Sequence, residues 1–338
     1  MKKHYVLLVL AVTLLSLPLG AMATQQKQDV LTVYAYDSFV SEWGPGPLVI
    51  PAFEQKTGIK VELISAGHGG ELLSRLLLEK NRPVADVVIG IEGDLLQEVL
   101  ASSLFLPYRP PAMDQVPQFL HIDTTYALVP FNYGNYAFVY DSQKISTPPT
   151  TLHDLLDPKW KKSLILIDPR TSNVGMGLLH WSIAVYGAEF TTFWQELKPN
   201  ILTISDGWSS AYGLFTEGEA PLVISYTTSP IYHLIYEHSD RYKALAFDEG
   251  NMAVIETAGI LASTSKVKEA QQFIDFLLTE AQADIAVANV MYPVNSLTVL
   301  PSAFSQLPVV KHSLMLSQQE LAANRQKWLN QWVEVMSR

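Results

Sequence analysis

The sequence predicts two α/β lobes joined by two extended crossings, the layout of a hinged clamp. Three observations carry this. Short β-branched and aromatic runs alternate with helical periodicity twice, once over residues 30–102 and again over 164–237. Two long extended stretches, 126–140 and 252–262, stand between and after these sets and can each pass from one lobe to the other. The chain of 338 residues is also too long for one compact core. The expected division is residues 24–130 with 255–338 in one lobe and 131–254 in the other, behind a leader of residues 1–23.

The leader is read first because it must be left out of the fold. Lys2 and Lys3 precede an apolar run over residues 5–19, and Ala21-Met22-Ala23 forms a small-x-small cleavage signal. That run is about 15 residues, short of the roughly 20 that span a bilayer. A cleaved secretory signal and a periplasmic address are therefore expected. No later stretch of the sequence reaches the length of a membrane span. With no cysteine there is no lipid attachment, disulfide or thiolate metal site. Cleavage removes two lysines and no acid, taking the net charge from −10 to −12. Such a surface argues against nucleic acid and anionic membranes, which need clustered Lys and Arg.

The elements follow in order. Residues 30–36 (VLTVYAY) read as a strand, 47–57 as a helix stopped by Gly58, and 60–64 as a second strand. Residues 71–80 place Leu72, Leu73, Leu76 and Leu77 on one helical face. Residues 85–91 form a continuously apolar strand, as expected when both faces are covered, and 95–102 a helix. Prolines 107, 110, 111 and 117 mark a loop before the first crossing. The second set comprises strands at 164–167, 202–204 and 222–225 and helices at 175–186, 190–197, 209–217 and 230–237. An amphipathic helix at 266–279 follows the second crossing, and 318–336 is a terminal helix packing onto one lobe. Alternation of this kind predicts parallel sheets with helices on both faces.

Ligands in such sheets sit beyond the carboxyl ends of strands, so the strand-to-helix turns are the places to look. The first carries Tyr36 and Asp37, an aromatic face beside a carboxylate. The second, Gly67-His68-Gly69-Gly70, lets a ligand approach backbone N–H groups, so His68 and Gly69 are candidates. The third, residues 168–173, ends in Ser172 and Asn173 at a helix entrance and suits an anion, with ordinary capping by Ser172 compatible with that role. The fourth, Tyr226-Thr227-Thr228-Ser229 before Pro230, gathers three hydroxyls around one point, with Tyr226 and Tyr232 flanking it and Ser229 as helix cap. Trp208, in a Gly-Trp-Ser turn, supplies a further ring. Together these fit a flat cation with a hydroxylated or anionic tail. The eight histidines are scattered, with His180 and His233 expected on the surface or in the core, and no nucleotide, zinc or serine-hydrolase motif occurs. No cofactor is expected.

Several motifs then resemble one family. Tyr34-x-Tyr36-Asp37-Ser38-Phe39-x-x-x-Trp43-Gly44-Pro45-Gly46-Pro47, residues 129–134 (VPFNYG), 168–172 (DPRTS), 207–215 (GWSSAYGLF), 225–230 (SYTTSP) and 291–294 (MYPV) are similar, in order, to the periplasmic thiamine-binding proteins. The resemblance implies a type II periplasmic binding protein, not an enzyme, that carries thiamine and its mono- and diphosphate to a membrane permease driven by an ATPase. It implies ligand contacts at Ser172, Trp208, Tyr226, Thr227, Thr228, Ser229 and Tyr232, cleft positions for Tyr36 and Asp37, and a monomer. Two positions depart from the family's pattern. His68 stands where an acidic pair is usual, and Val290 where a tryptophan is. The rival readings are a polyamine or other small organic cation, a ferric-ion carrier, which would want adjacent tyrosines this chain lacks, and an exported hydrolase, which would want a nucleophile motif.

Overall fold

A computed structural model of the protein describes residues 30–67 and 69–338. The signal-peptide expectation for 1–23 and the candidate His68 lie outside the described residues. The chain opens with β1 (Leu31–Ala35), a short helix α1 (Asp37–Val40), α2 (Gly46–Thr57), β2 (Val61–Ser65), α3 (Gly69–Leu78), β3 (Val87–Glu92), α4 (Leu96–Ser102) and β4 (Phe105–Leu106). Gly58 ends α2 as predicted, at φ 73°, where its lack of a Cβ avoids the left-handed penalty. All six residues of β3 are buried, in keeping with its unbroken apolar run.

The first crossing is β5 (Val129–Asp141). The second set is β6 (Leu164–Ile167), α5 (Asn173–Tyr186), α6 (Phe190–Leu197), β7 (Ile201–Ser205), α7 (Trp208–Glu217), β8 (Leu222–Tyr226), α8 (Pro230–Tyr236) and β9 (Tyr242–Ala244). The second crossing, β10 (Asn251–Leu261), leads to α9 (Val267–Leu277), α10 (Gln282–Ala288), β11 (Tyr292–Pro293), β12 (Ser313–Leu314) and α11 (Gln318–Ser337). A capping box starts α11, with Ser317 and Glu320 satisfying each other's backbone N–H groups.

The main strands run β2-β1-β3-β10-β5-β8-β6-β7. The outer triplets β2-β1-β3 and β8-β6-β7 are parallel, whereas β10 and β5 pair antiparallel with each other and with β3 and β8. The expectation of wholly parallel sheets is thus corrected to a mixed one. The two crossings carry the chain in opposite directions between lobes, so they lie antiparallel where they meet.

Three large apolar clusters surround these strands. One side of the first triplet packs Phe39, Phe53, Phe131 and Phe273, and the other packs Leu72, Leu76 and Val99. The second triplet packs Phe138, Trp181, Trp194 and Phe215. The tail helix touches both sets. Near its start, Gln318 Nε2 donates to the Gly93 carbonyl at 2.9 Å and Arg325 pairs with Asp94 at 2.9 Å. Near its end, Trp332 meets Trp194 edge-on at 5.7 Å and Val335 joins the second cluster. The sequence placed this helix on one lobe because its two tryptophans share a face; the distribution of its partners was not readable.

Candidate functional site: an aromatic and acidic cleft

The parallel strands of both triplets end at one cleft. Tyr36 follows β1, Glu92 ends β3, Ser172 and Asn173 open α5 beyond β6, Trp208 opens α7 beyond β7, and Tyr226 ends β8. These residues line a cavity of about 430 Å³.

The wall from the second triplet is a chain of rings and hydroxyls. Trp208 stacks on Tyr212 with centroids 4.9 Å apart and planes 21° from parallel. Its indole N–H donates to Ser225 Oγ at 2.7 Å, which lies 2.7 Å from Ser229 Oγ, which accepts from the Tyr226 backbone N–H at 3.2 Å. Each link restricts the next, so the indole is held before any ligand arrives. Tyr212 OH lies 3.0 Å from His233 Nε2, and His233 Nδ1 lies 2.6 Å from Glu237 Oε2. Tyr226 stacks on Tyr136 at 5.3 Å.

The opposite wall carries charge. Glu256, on β10, accepts from Tyr36 OH at 2.9 Å, Asn132 Nδ2 at 2.7 Å and Asn289 Nδ2 at 3.2 Å, all on Oε2. Glu92 Oε2 accepts from Tyr136 OH at 2.8 Å. Burial, with Asp94 and Glu256 nearby, pushes the Glu92 carboxyl well above its ordinary range; burial also raises Glu256, against the pull of its hydrogen bonds. Trp43 reaches over from this side, its ring 5.8 Å from that of Trp208. Among the described residues that line the cavity there is no lysine or arginine.

Of the residues the sequence nominated, Tyr36, Ser172, Asn173, Trp208, Tyr226, Ser229 and Tyr232 line this cavity. Ser172 caps α5 as expected, accepting from the Val174 N–H at 3.3 Å. Three expectations change. Ser229 does not cap α8 with its side chain, because its Oγ is taken up by Ser225 and Tyr226. Thr227 and Thr228 turn inward and are buried; Thr228 Oγ1 lies 4.0 Å from Met291 Sδ, so the turn does not present three hydroxyls to one point. Asp37 is exposed at the start of α1, with Ser65 Oγ on its carboxylate, and does not line the cavity. Gly69 begins α3. His180 is a core residue whose burial pulls it down to about 4, and His233 is buried in the wall behind Tyr212. Val290 lines the cavity at φ 53°, in the left-handed region that a β-branched side chain rarely adopts. Sequence reasoning missed Glu92, Glu256, Trp43 and Tyr212 as site residues. An acid inside or ending an otherwise apolar strand was the available signal for the first two.

Residues 46–284 match the family described as bacterial extracellular solute-binding protein. The chain belongs to this family. A solute-binding protein of this kind is a periplasmic carrier and not a catalyst, which accounts for a cleft rich in rings and bonded hydroxyls. The solute-binding protein is 42% identical over 326 residues to a protein of Brucella abortus biovar 1 (strain 9-941) named thiamine-binding periplasmic protein, covering 95% of this chain and 96% of the relative. It is 41% identical over 313 residues to the protein of that name from Escherichia coli (strain K12), covering 92% and 94%. A solved structure described as a periplasmic thiamin binding protein superposes with a TM-score of 0.86 at 41% identity, covering 91% of this chain and 96% of that one. The type II two-lobed fold expected from the sequence is that of these relatives. No helix among the described residues is long and apolar enough to cross a membrane.

Proposed function

We propose that this solute-binding protein captures thiamine, thiamine monophosphate and thiamine diphosphate and delivers them, as a monomer, to a membrane permease driven by an ATPase. One observation carries the choice of ligand. The cavity sets stacked rings on one side against two buried carboxylates on the other, with no lysine or arginine among its described lining residues. A flat organic cation answers both walls: the rings attract it through their quadrupole, and the carboxylates neutralise it. The names of the relatives, at 41–42% identity over most of the chain, support the same solute. The phosphorylated forms need an anion site, and the α5 entrance at Ser172 and Asn173 supplies the positive end of a fourteen-residue helix. We keep the division at 130/131 and 254/255 as part of this proposal, with α11 bridging the lobes.

Titration calorimetry with thiamine and its two phosphates tests the reading. Binding at low micromolar concentration or tighter, roughly −8 kcal/mol, is expected for thiamine. No heat with any of the three, in protein that binds spermidine or putrescine instead, replaces the reading with a polyamine carrier.

A further inference from the structure

Glu92 and Glu256 are paired across neighbouring strands: β3 and β10 run antiparallel with these two residues in register. Like charges directly opposite on a sheet destabilise it. Here the two are also only 7% exposed each, where ionised carboxylates are costly to hold. Both line the ligand cavity. A pair that burdens the fold in this way, at the floor of a binding cleft, has a use there.

We propose that Glu92 and Glu256 form one acidic subsite that receives the positively charged part of the ligand, and that ligand binding there expels a proton from the pair. The inference rests on the cationic-ligand reading above and adds the residues that recognise the charge. Other charged and titratable groups around the pair do not neutralise it. Glu92 faces Tyr136 on β5, Tyr226 on β8, and Asp94 in the turn after β3; Arg325 on α11 lies near but is bound to Asp94. Glu256 faces Tyr36 beyond β1 and Tyr226 on β8, with the amides of Asn132 and Asn289 as its remaining partners. These tyrosines are themselves buried, and all are held neutral by that burial. The pair therefore keeps an excess of negative charge whenever both groups ionise, and retention of a proton relieves it, as the raised Glu92 carboxyl indicates. A ligand cation does the same service. The protonated carboxyl then loses its proton to solvent, and a carboxylate faces the cation in its place.

The sign follows from linkage. The free protein holds the proton more tightly than the complex, so affinity rises with pH through the window above the ordinary carboxylate range and levels off once the free pair is ionised. Calorimetry of the mature chain with thiamine, in two buffers of different ionisation enthalpy at several pH values, reads the proton directly. Net proton release is expected at the acid end, shrinking as pH rises. Glu256→Gln and Glu92→Gln are each expected to weaken thiamine binding about tenfold at the alkaline end, to flatten the pH dependence, and to raise Tm, because each removes one of two opposed charges. Thiamine binding by the unsubstituted protein without proton release at any pH overturns the subsite with no variant needed. So do variants that bind as tightly as the parent. Absence of thiamine binding by the parent protein overturns the functional reading, and this inference with it.

Discussion

The two walls of the cleft solve opposite problems. The wall built by α7, β8 and α8 is a set of rings and hydroxyls that satisfy one another, with one half-exposed carboxylate at its edge: indole to Ser225, Ser225 to Ser229, Tyr212 to His233, His233 to Glu237. The facing wall, from β3, β10 and the end of β1, holds two carboxylates in a setting that resists their ionisation. The first wall is finished without a ligand and offers it shape. The second is left in tension and gains from a cation. On the proposed reading, a site divided this way takes orientation from one wall and charge selection from the other, so a cationic solute is expected to need both for its full affinity.

That contrast can be broken or sharpened by substitution. The largest effect is expected from Trp208→Ala, which removes the stacked ring and leaves Ser225 without its donor. Thiamine affinity should fall about thirtyfold, the 2 kcal/mol typical of a central aromatic anchor, while the far-UV spectrum and Tm stay near those of the parent. Tyr212→Phe keeps the stack and cuts the bond to His233. A loss of about 1 kcal/mol in urea unfolding is expected, with affinity reduced only a few-fold. Trp43→Ala removes a ring that is 49% exposed yet reaches Trp208 across the cleft. A reduction of about threefold in affinity, measured by stopped-flow as faster release, is expected from a rim aromatic. Smallest is Asp37→Asn. Its carboxylate stands outside the cavity, so affinity should hold within about twofold; a larger loss would move the charged wall to the end of β1.

The wall of rings and hydroxyls was largely legible in the sequence and the wall of buried carboxylates was not. Turns after strands announce themselves through Gly, Ser, Thr and Pro, and rings in such turns are conspicuous; Trp208, Tyr226, Ser172 and Tyr36 were found that way. Alternating periodicity likewise located β6 and α6 to the residue. Glu92 falls just past the apolar strand read at 85–91 and Glu256 inside the crossing read at 252–262, and only the register of β3 against β10 brings them together. Register between distant strands is set by tertiary packing, and no local pattern encodes it. The same limit explains Thr227 and Thr228. Their position in the turn is readable, but the direction in which the turn winds depends on Asn135, whose carbonyl takes the Thr227 N–H at 2.9 Å. Trp43 was quoted for its motif yet not as a contact, since nothing near it in sequence reveals a ring across the cleft.

The tail helix bears on how the molecule can be instrumented. The first described strand, starting at Leu31, packs in the apolar cluster of the first triplet, whereas Trp332 and Val335 pack in that of the second. The folded chain thus begins against one cluster and ends against the other, with α11 spanning the two. A donor fluorophore ahead of β1 and an acceptor behind Arg338 form a ratiometric gauge of cleft opening, with no insertion into either lobe and no label near the solute. Because α11 is also fastened to Asp94 beside the first triplet, the acceptor is tied to both clusters, and the change in transfer on adding solute is expected to be small.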